Sequence, residues 1–247
     1  MKNWWPPALV ILAILIIWQI ATVVFDVPPY ILPSPAAVAG AFGTWGGVIF
    51  SHTLSTLWVS LAGFGLAVIF GISLGVWVGI SPLAYRALYP VLLGFNSIPK
   101  VALVPVLVIW FGIGAPPAII TAFLISFFPI LVNVALGISA LEPALADVLK
   151  VLGASRLEVL TKVAWPQSLP HLFASLKVAV SLALVGAVIS ETMASQTGIG
   201  YLLVSASSRF EVDLVFAALV AVAVLGIALY AFFAWLEAKT TSWARDS

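Results

Sequence analysis

The stretch EPALADVLKVLGASRLEVLTKVAWPQSLP, Glu142 to Pro170, decides how this chain is read, because it sets a cluster of charges between two long, almost chargeless apolar runs. Pro143 suits the first turn of a helix, whose amides have no intrahelical acceptor in any case. Leu145, Val148, Leu149 and Leu152 then recur at i, i+3, i+4 and i+7, the period of one helical face. Gly153 ends that helix, since glycine takes a positive φ at little cost. Ser155-Arg156-Leu157-Glu158 has the capping-box pattern that starts a second helix, Glu158 and Lys162 support it at i, i+4, and Pro166 is expected to halt it. The pattern predicts a helix, a tight turn and a helix. Its small tip, Gly153-Ala154-Ser155, can approach another surface closely, and the apolar stripe is expected to rest on the chain's own spans.

What surrounds this hairpin is apolar. Hydrophobic residues make up 63% of the 247 residues and charged ones 8%, against about 25% charged in a soluble domain. With a mean hydropathy of +1.22, the chain reads as an integral all-α membrane protein. A net charge of +1 leaves no basic field for nucleic acid. There is no cysteine, so neither a disulfide framework nor a thiolate metal site is available, and His52 and His171 have no ligand spacing.

A helix crossing a hydrocarbon core of about 30 Å needs about 20 apolar residues. Six spans are expected in one transmembrane domain over 1–247: residues 6–25, 54–80, 88–111, 117–138, 175–194 and 214–236, with the hairpin loop at 140–170. The first is too long for the apolar core of a cleaved leader and reads as an uncleaved anchor. The second carries Gly71, Gly75 and Gly79 at four-residue spacing, a stripe for close helix packing. The third is punctuated by Pro90, Pro99 and Pro105, and a broken helix in lipid must be covered by protein or line a cavity. The segment Asp26 to Ser51, rich in Pro, Gly, Ser and Thr, is expected to be extended backbone and turns. Six spans put both termini on one side. If that side is cytoplasmic it holds Lys2, Arg86, Lys150, Arg156, Lys162, Lys239 and Arg245, and only Arg209 falls in the opposite loops, as the positive-inside rule requires.

Ionisable groups at bilayer depth are costly and point to function or to a partner. Lys100, beside Pro99 in the broken span, either faces an aqueous path or snorkels to the interface. Asn96 and Ser97 could share its cavity wall. Lys177, close to the start of the fifth span, carries the same two readings, with snorkelling the favoured one. Glu191 either caps the outer end of a pathway or pairs locally. No Gly-x-x-x-x-Gly-Lys-Ser/Thr occurs, so the chain has no P-loop for a nucleotide. No carboxylate pair, His cluster or activated nucleophile marks a membrane enzyme. A secondary transporter or channel would leave the hairpin unexplained.

The order of residues in the hairpin resembles the signature loop of membrane subunits of binding-protein-dependent ABC importers: EAA, three residues, Gly, nine residues, Ile-x-Leu-Pro. Asp147-Val148-Leu149, Gly153 and Val163-Ala164-Trp165-Pro166 keep that spacing, with Asp for Glu, larger residues for both alanines, and Trp before the proline. The chain is most similar to the nitrate/sulfonate/taurine group. The landmarks are Leu32-Pro33-Ser34-Pro35, Ile98 through Pro105 with Trp110-Phe111-Gly112, Leu152 through Arg156, and Gly198-Ile199-Gly200-Tyr201-Leu202. The resemblance implies a six-span permease of the type I importer fold in a bacterial inner membrane. It implies a non-catalytic subunit that pairs with a second copy and meets two ATP-binding cassette subunits, which hold ATP and Mg; the permease itself binds no cofactor. It also implies an extracytoplasmic solute-binding protein and a small polar or anionic solute such as nitrate, a sulfonate or taurine, with a thiamine-precursor pyrimidine or related heterocycle as the alternative. Coupling to the ATPase would fall on Glu142, Asp147, Lys150, Gly153, Ala154, Ser155 and Arg156, and the path on Asn96, Ser97, Pro99, Lys100 and Glu191.

Overall fold

The structure, a computed structural model, describes residues 5–140, 148–149 and 151–241. It consists of helices α1 (Trp5–Val24), α2 (Pro35–Ile80), α3 (Pro82–Ser97), α4 (Val104–Phe111), α5 (Ala115–Ser139), α6 (Arg156–Val159), α7 (Trp165–Ala194), α8 (Ile199–Ser208) and α9 (Val212–Thr240), with no strand among the described residues. A 3₁₀ turn, Lys100–Leu103, precedes α4, and a π-helical turn, Leu160–Ala164, joins α6 to α7.

Helix α2 starts far earlier than its composition suggests. Ser34 caps it by accepting the amide of Ala37 at 3.2 Å, and Pro35 occupies the first turn. Residues 35–51, expected to be extended, are therefore helical, and the true loop is residues 25–34. Packing overrides the weak helix propensity of four glycines here. Val38, Ala41 and Ile49 are buried against Ile199 and Leu202 of α8 and Leu214, Ala217 and Ala218 of α9. At 46 residues α2 is about 69 Å long, more than twice a hydrocarbon core.

Two prolines were expected to break helices and do not. Pro90 lies inside α3 and Pro105 in the first turn of α4, so the break falls at Ile98-Pro99, where the chain bends by 77°. Pro166 does not stop the second hairpin helix. The π turn widens the helix so that the Trp165 amide bonds to the carbonyl of Leu160, which makes room for the ring that would otherwise strike the carbonyl four residues back. The helix then runs on through Pro170 to Ala194. Among the described residues, four helices are long and apolar enough to cross a bilayer, and the bent α3–α4 pair makes a fifth. The apolar part of α1, Ala8–Val24, is shorter than these, so the expected count of six is not reached by length and composition.

The centre of the fold is the contact of α5 with α2 on one side and α7 on the other. Gly63, Gly71, Gly75 and Gly79 form a face of α2 on which α5 lies almost backbone to backbone. A methyl group placed on Gly75 would sit 2.8 Å from the Leu131 carbonyl oxygen, and one on Gly79 2.9 Å from Ile138 Cβ. On the opposite side, a methyl on Gly186 of α7 would lie 3.0 Å from Ala122 Cα, and one on Gly137 of α5 2.9 Å from Ser168 Cβ. Ile130, Leu131, Val134, Ala179 and Ala183 fill the space between these seams. Helix α1 is held more loosely, by the ring of Trp18 on Phe216 and by the Ala36 amide donating to Gln19 Oε1.

The seam predicts opposite outcomes for two glycines on one helix. A methyl on Gly63 would meet Ala122 Cβ and the Ile119 carbonyl oxygen, each at 2.6 Å, whereas one on Gly65 meets nothing within 4 Å. Gly63→Ala is expected to destabilise the protein by about 1–3 kcal/mol through overpacking. Gly65→Ala is expected to be neutral or to stabilise by up to about 1 kcal/mol. Thermal unfolding of the two variants in detergent separates them, and equal midpoints would contradict the seam.

Candidate functional site

The hairpin is built by two interlocking caps. Val148 and Leu149 are helical, the Leu152 amide bonds to the Val148 carbonyl at 3.0 Å, and the Ala154 amide reaches back to the Leu149 carbonyl at 3.0 Å. That last bond, with Gly153 at φ 84°, closes the helix as a Schellman turn. The second helix opens at once. The Glu158 amide donates to Ser155 Oγ at 3.2 Å while the Ser155 amide and hydroxyl donate to Glu158 Oε2 at 3.0 and 2.9 Å, and Lys162 Nζ lies 3.1 Å from Glu158 Oε1. The amides of Ala154, Ser155 and Glu158 at the turn thus have partners. Glu142, Asp147 and Lys150 lie outside the described residues, and of Arg156 only the backbone, which begins α6, is described.

Of the apolar stripe, Val148 and Leu152 are exposed and Leu149 is half-buried, while Leu145 lies outside the described residues. Val151 is 88% exposed, Leu152 77%, Leu157 68% and Val148 55%. The two arms enclose an open cleft of about 250 Å³ lined by Leu149, Leu152, Val159, Lys162 and Val163. The second arm runs on directly into α7 as the first turns of one long helix. The leucines on the outer side of the tip are left facing away from the protein.

At the break between α3 and α4, Lys100 Nζ donates to the backbone oxygen of Asn96 and, at 2.6 Å, to Asn96 Oδ1. The ammonium therefore sits on the carbonyl end of α3, where the helix dipole and the unpaired carbonyls favour a cation. Ser97 Oγ turns back onto the Leu93 carbonyl at 3.1 Å. Ser97 and Pro99 are exposed, and Asn96 and Lys100 are partly so. The sequence brings these four residues together, with Lys100 acting as the cap.

Glu191 lies elsewhere, near the end of α7, and is 2% exposed. Its Oε2 accepts the Thr56 hydroxyl of α2 at 2.8 Å and the Gly200 amide of α8 at 3.0 Å. Thr56 Oγ1 in turn accepts the Ile199 amide at 2.8 Å. Glu191 pairs locally and is remote from the α3–α4 break along the chain and in its partners.

Two partnerships escaped the sequence reading. Lys177 of α7 is bound to Glu237 of α9 at 2.7 Å rather than snorkelling. Opposite charges near one end of two apolar spans were the available signal. His52 stacks on Tyr201 of α8 with ring centroids 5.9 Å apart, and no group of metal-ligating side chains occurs among the described residues.

Comparison with known proteins agrees with this architecture. Residues 67–242 match the family described as binding-protein-dependent transport system inner membrane component. A probable ABC transporter permease protein of Haemophilus influenzae is 35% identical over 93% of this chain and 94% of its own length. The riboflavin transport system permease protein of Chloroflexus aurantiacus is 35% identical over 94% of this chain and 88% of its own. The taurine transport system permease protein of Escherichia coli is 29% identical over 92% and 84%. In fold the chain is similar to a subunit chain of the MetNI methionine ABC transporter in an inward-facing conformation, with a TM-score of 0.70 at 17% identity, covering 80% of this chain and 98% of that one. The chain belongs to the binding-protein-dependent transport system inner membrane components, as a multi-pass, non-catalytic permease subunit of an ABC importer whose ATPase is a separate subunit.

Proposed function

We propose that the hairpin centred on Gly153 is the surface on which an ATP-binding cassette subunit seats. We also propose that two copies of this chain, with two such subunits holding ATP and Mg, enclose a path for a small polar or anionic solute delivered by an extracytoplasmic binding protein. One observation carries the docking assignment: a hairpin capped at both arms presents its leucines and valines outward. Exposed apolar side chains on a rigid, non-spanning element mark an interaction surface. The rigidity matters as much as the exposure, because a capped hairpin transmits a push instead of absorbing it. On this reading the hairpin and both termini are cytoplasmic, which places the cations named above on that side.

For the solute, relatives named for taurine, aliphatic sulfonates and nitrate support a small anion. The break at Pro99 adds a chemical reason. An ammonium has three donors, and Lys100 gives two to Asn96, so one remains for an arriving anion without disturbing the cap. A heterocyclic solute is the second reading, favoured by the riboflavin permease among the relatives.

Three outcomes test these assignments. Gly153→Trp, which adds bulk at the tip, is expected to insert normally but to lose co-purification of the cassette subunit and solute uptake. Gly153→Asn, which tolerates the same positive φ, is expected to keep both. Normal assembly of the Trp variant would remove the tip from the interface. Lys100→Met is expected to lower uptake of an alkanesulfonate about ten-fold, the loss of one charge-assisted hydrogen bond of about 1.5 kcal/mol, while a neutral heterocycle is carried as before. An equal loss for both solutes would make Lys100 a helix cap only. Ser155→Ala is expected to speed amide exchange at residues 157–160, by about five-fold for a cap worth about 1 kcal/mol, as read by hydrogen–deuterium exchange.

A further inference from the structure

The short helix α8 has no capping side chain of its own. Its N-cap position is Gly198, at φ 93°, and the groups that satisfy its first amides come from other helices: Thr56 of α2 for Ile199 and Glu191 of α7 for Gly200. Local Ser, Thr, Asn or Asp at the N-cap would close a helix start more cheaply than a carboxylate withdrawn from water. The two glycines exist to admit that carboxylate. A methyl on Gly198 would lie 2.2 Å from Glu191 Cδ, and one on Gly200 2.6 Å from Glu191 Cβ and 2.3 Å from the Val188 carbonyl oxygen. The second carboxylate oxygen, Oε1, is buried without a partner among the described residues, so the whole side chain is committed to this cradle.

The other end of the same helix is the hairpin. Leu157–Ala194 is 38 residues of continuous helix, about 57 Å, running from the capping box through the π turn to Glu191. From Ser168 outward it is seated on α5 by the Gly137 and Gly186 contacts, so it has little freedom to bend or slide on its own.

We propose that Glu191 is a positioning residue that fastens α8 to the far end of α7, so that displacement of the hairpin is delivered to α8 as a change in its position. This rests on the importer reading above. The cap supplied from outside α8 is what makes the connection obligatory: α8 keeps its first turn only where α7 and α2 carry it.

The chain has no cysteine, so single reporters can be introduced at Thr161, on the second hairpin arm away from the tip, and at Val204 on α8, both of them exposed. The assembled importer, with its cassette subunit, is spin-labelled at one position or the other, and line shapes are compared with and without ATP and Mg. In the parent both labels respond. With Glu191→Leu the Thr161 label is expected to respond as before and the Val204 label to lose its response. Glu191→Gln, which keeps an acceptor oxygen for Gly200 and Thr56, is expected to restore it. Thr56→Val leaves the carboxylate in place and is expected to reduce the α8 response, which guards against a Leu variant that fails to insert. An unchanged Val204 response in both the Leu and Val variants overturns the proposal, as does a Gln variant that behaves like Leu. A parent in which neither label responds overturns the importer docking reading, and this proposal with it.

Discussion

Everything in this fold depends on how closely α5 approaches its two neighbours. In lipid there is no hydrophobic force between helices, so van der Waals contact must hold them, and contact is greatest where side chains are absent. The glycines of α2 and those at positions 137 and 186 allow α5 to be gripped from both sides with backbone atoms near their contact limit. The result is a tight group of three long helices with α5 held between α2 and α7. The second cluster, around Leu214 and Ile199, is built on the outer extension of α2 and so depends on the same group.

Charge is used sparingly, and each ionisable group at depth is given a task. Lys177 and Glu237 join α7 to α9, Lys100 completes the end of α3, and Glu191 begins α8. In each case an end of a helix or a junction between helices is secured by a group whose exposure to hydrocarbon would be costly without that partner. The broken span follows the same logic. The backbone freed at Ile98-Pro99 is covered by a lysine four residues from its acceptor and by a 3₁₀ turn, so the bend is a formed corner.

Local patterns were legible in the sequence and distant ones were not. Gly153 and the Ser155–Glu158 pair lie within a few residues of the groups they satisfy, so spacing alone describes the turn they make. The start of α2 was obscured because Gly40, Gly43, Gly46 and Gly47 argue locally for a loop, and only burial of the intervening Val38, Ala41 and Ile49 on helices 150 or more residues away makes them helical. Pro166 misled for a different reason: a π turn relieves its clash, and no residue pattern announces one. Thr56, one partner of Glu191, and Glu237, the partner of Lys177, are 135 and 60 residues distant in sequence, beyond any periodicity argument.

The bare leucines and valines of the hairpin bear on the life of the subunit before assembly. A chain made without its partner carries Val151, Leu152 and Leu157 in water on the hairpin. Such a surface invites self-association and the attention of proteolytic quality control, and binding protects it by mass action. On the docking proposed above, the abundance of this chain is tied to that of the cassette subunit that covers the tip, a form of stoichiometric control written into the hairpin.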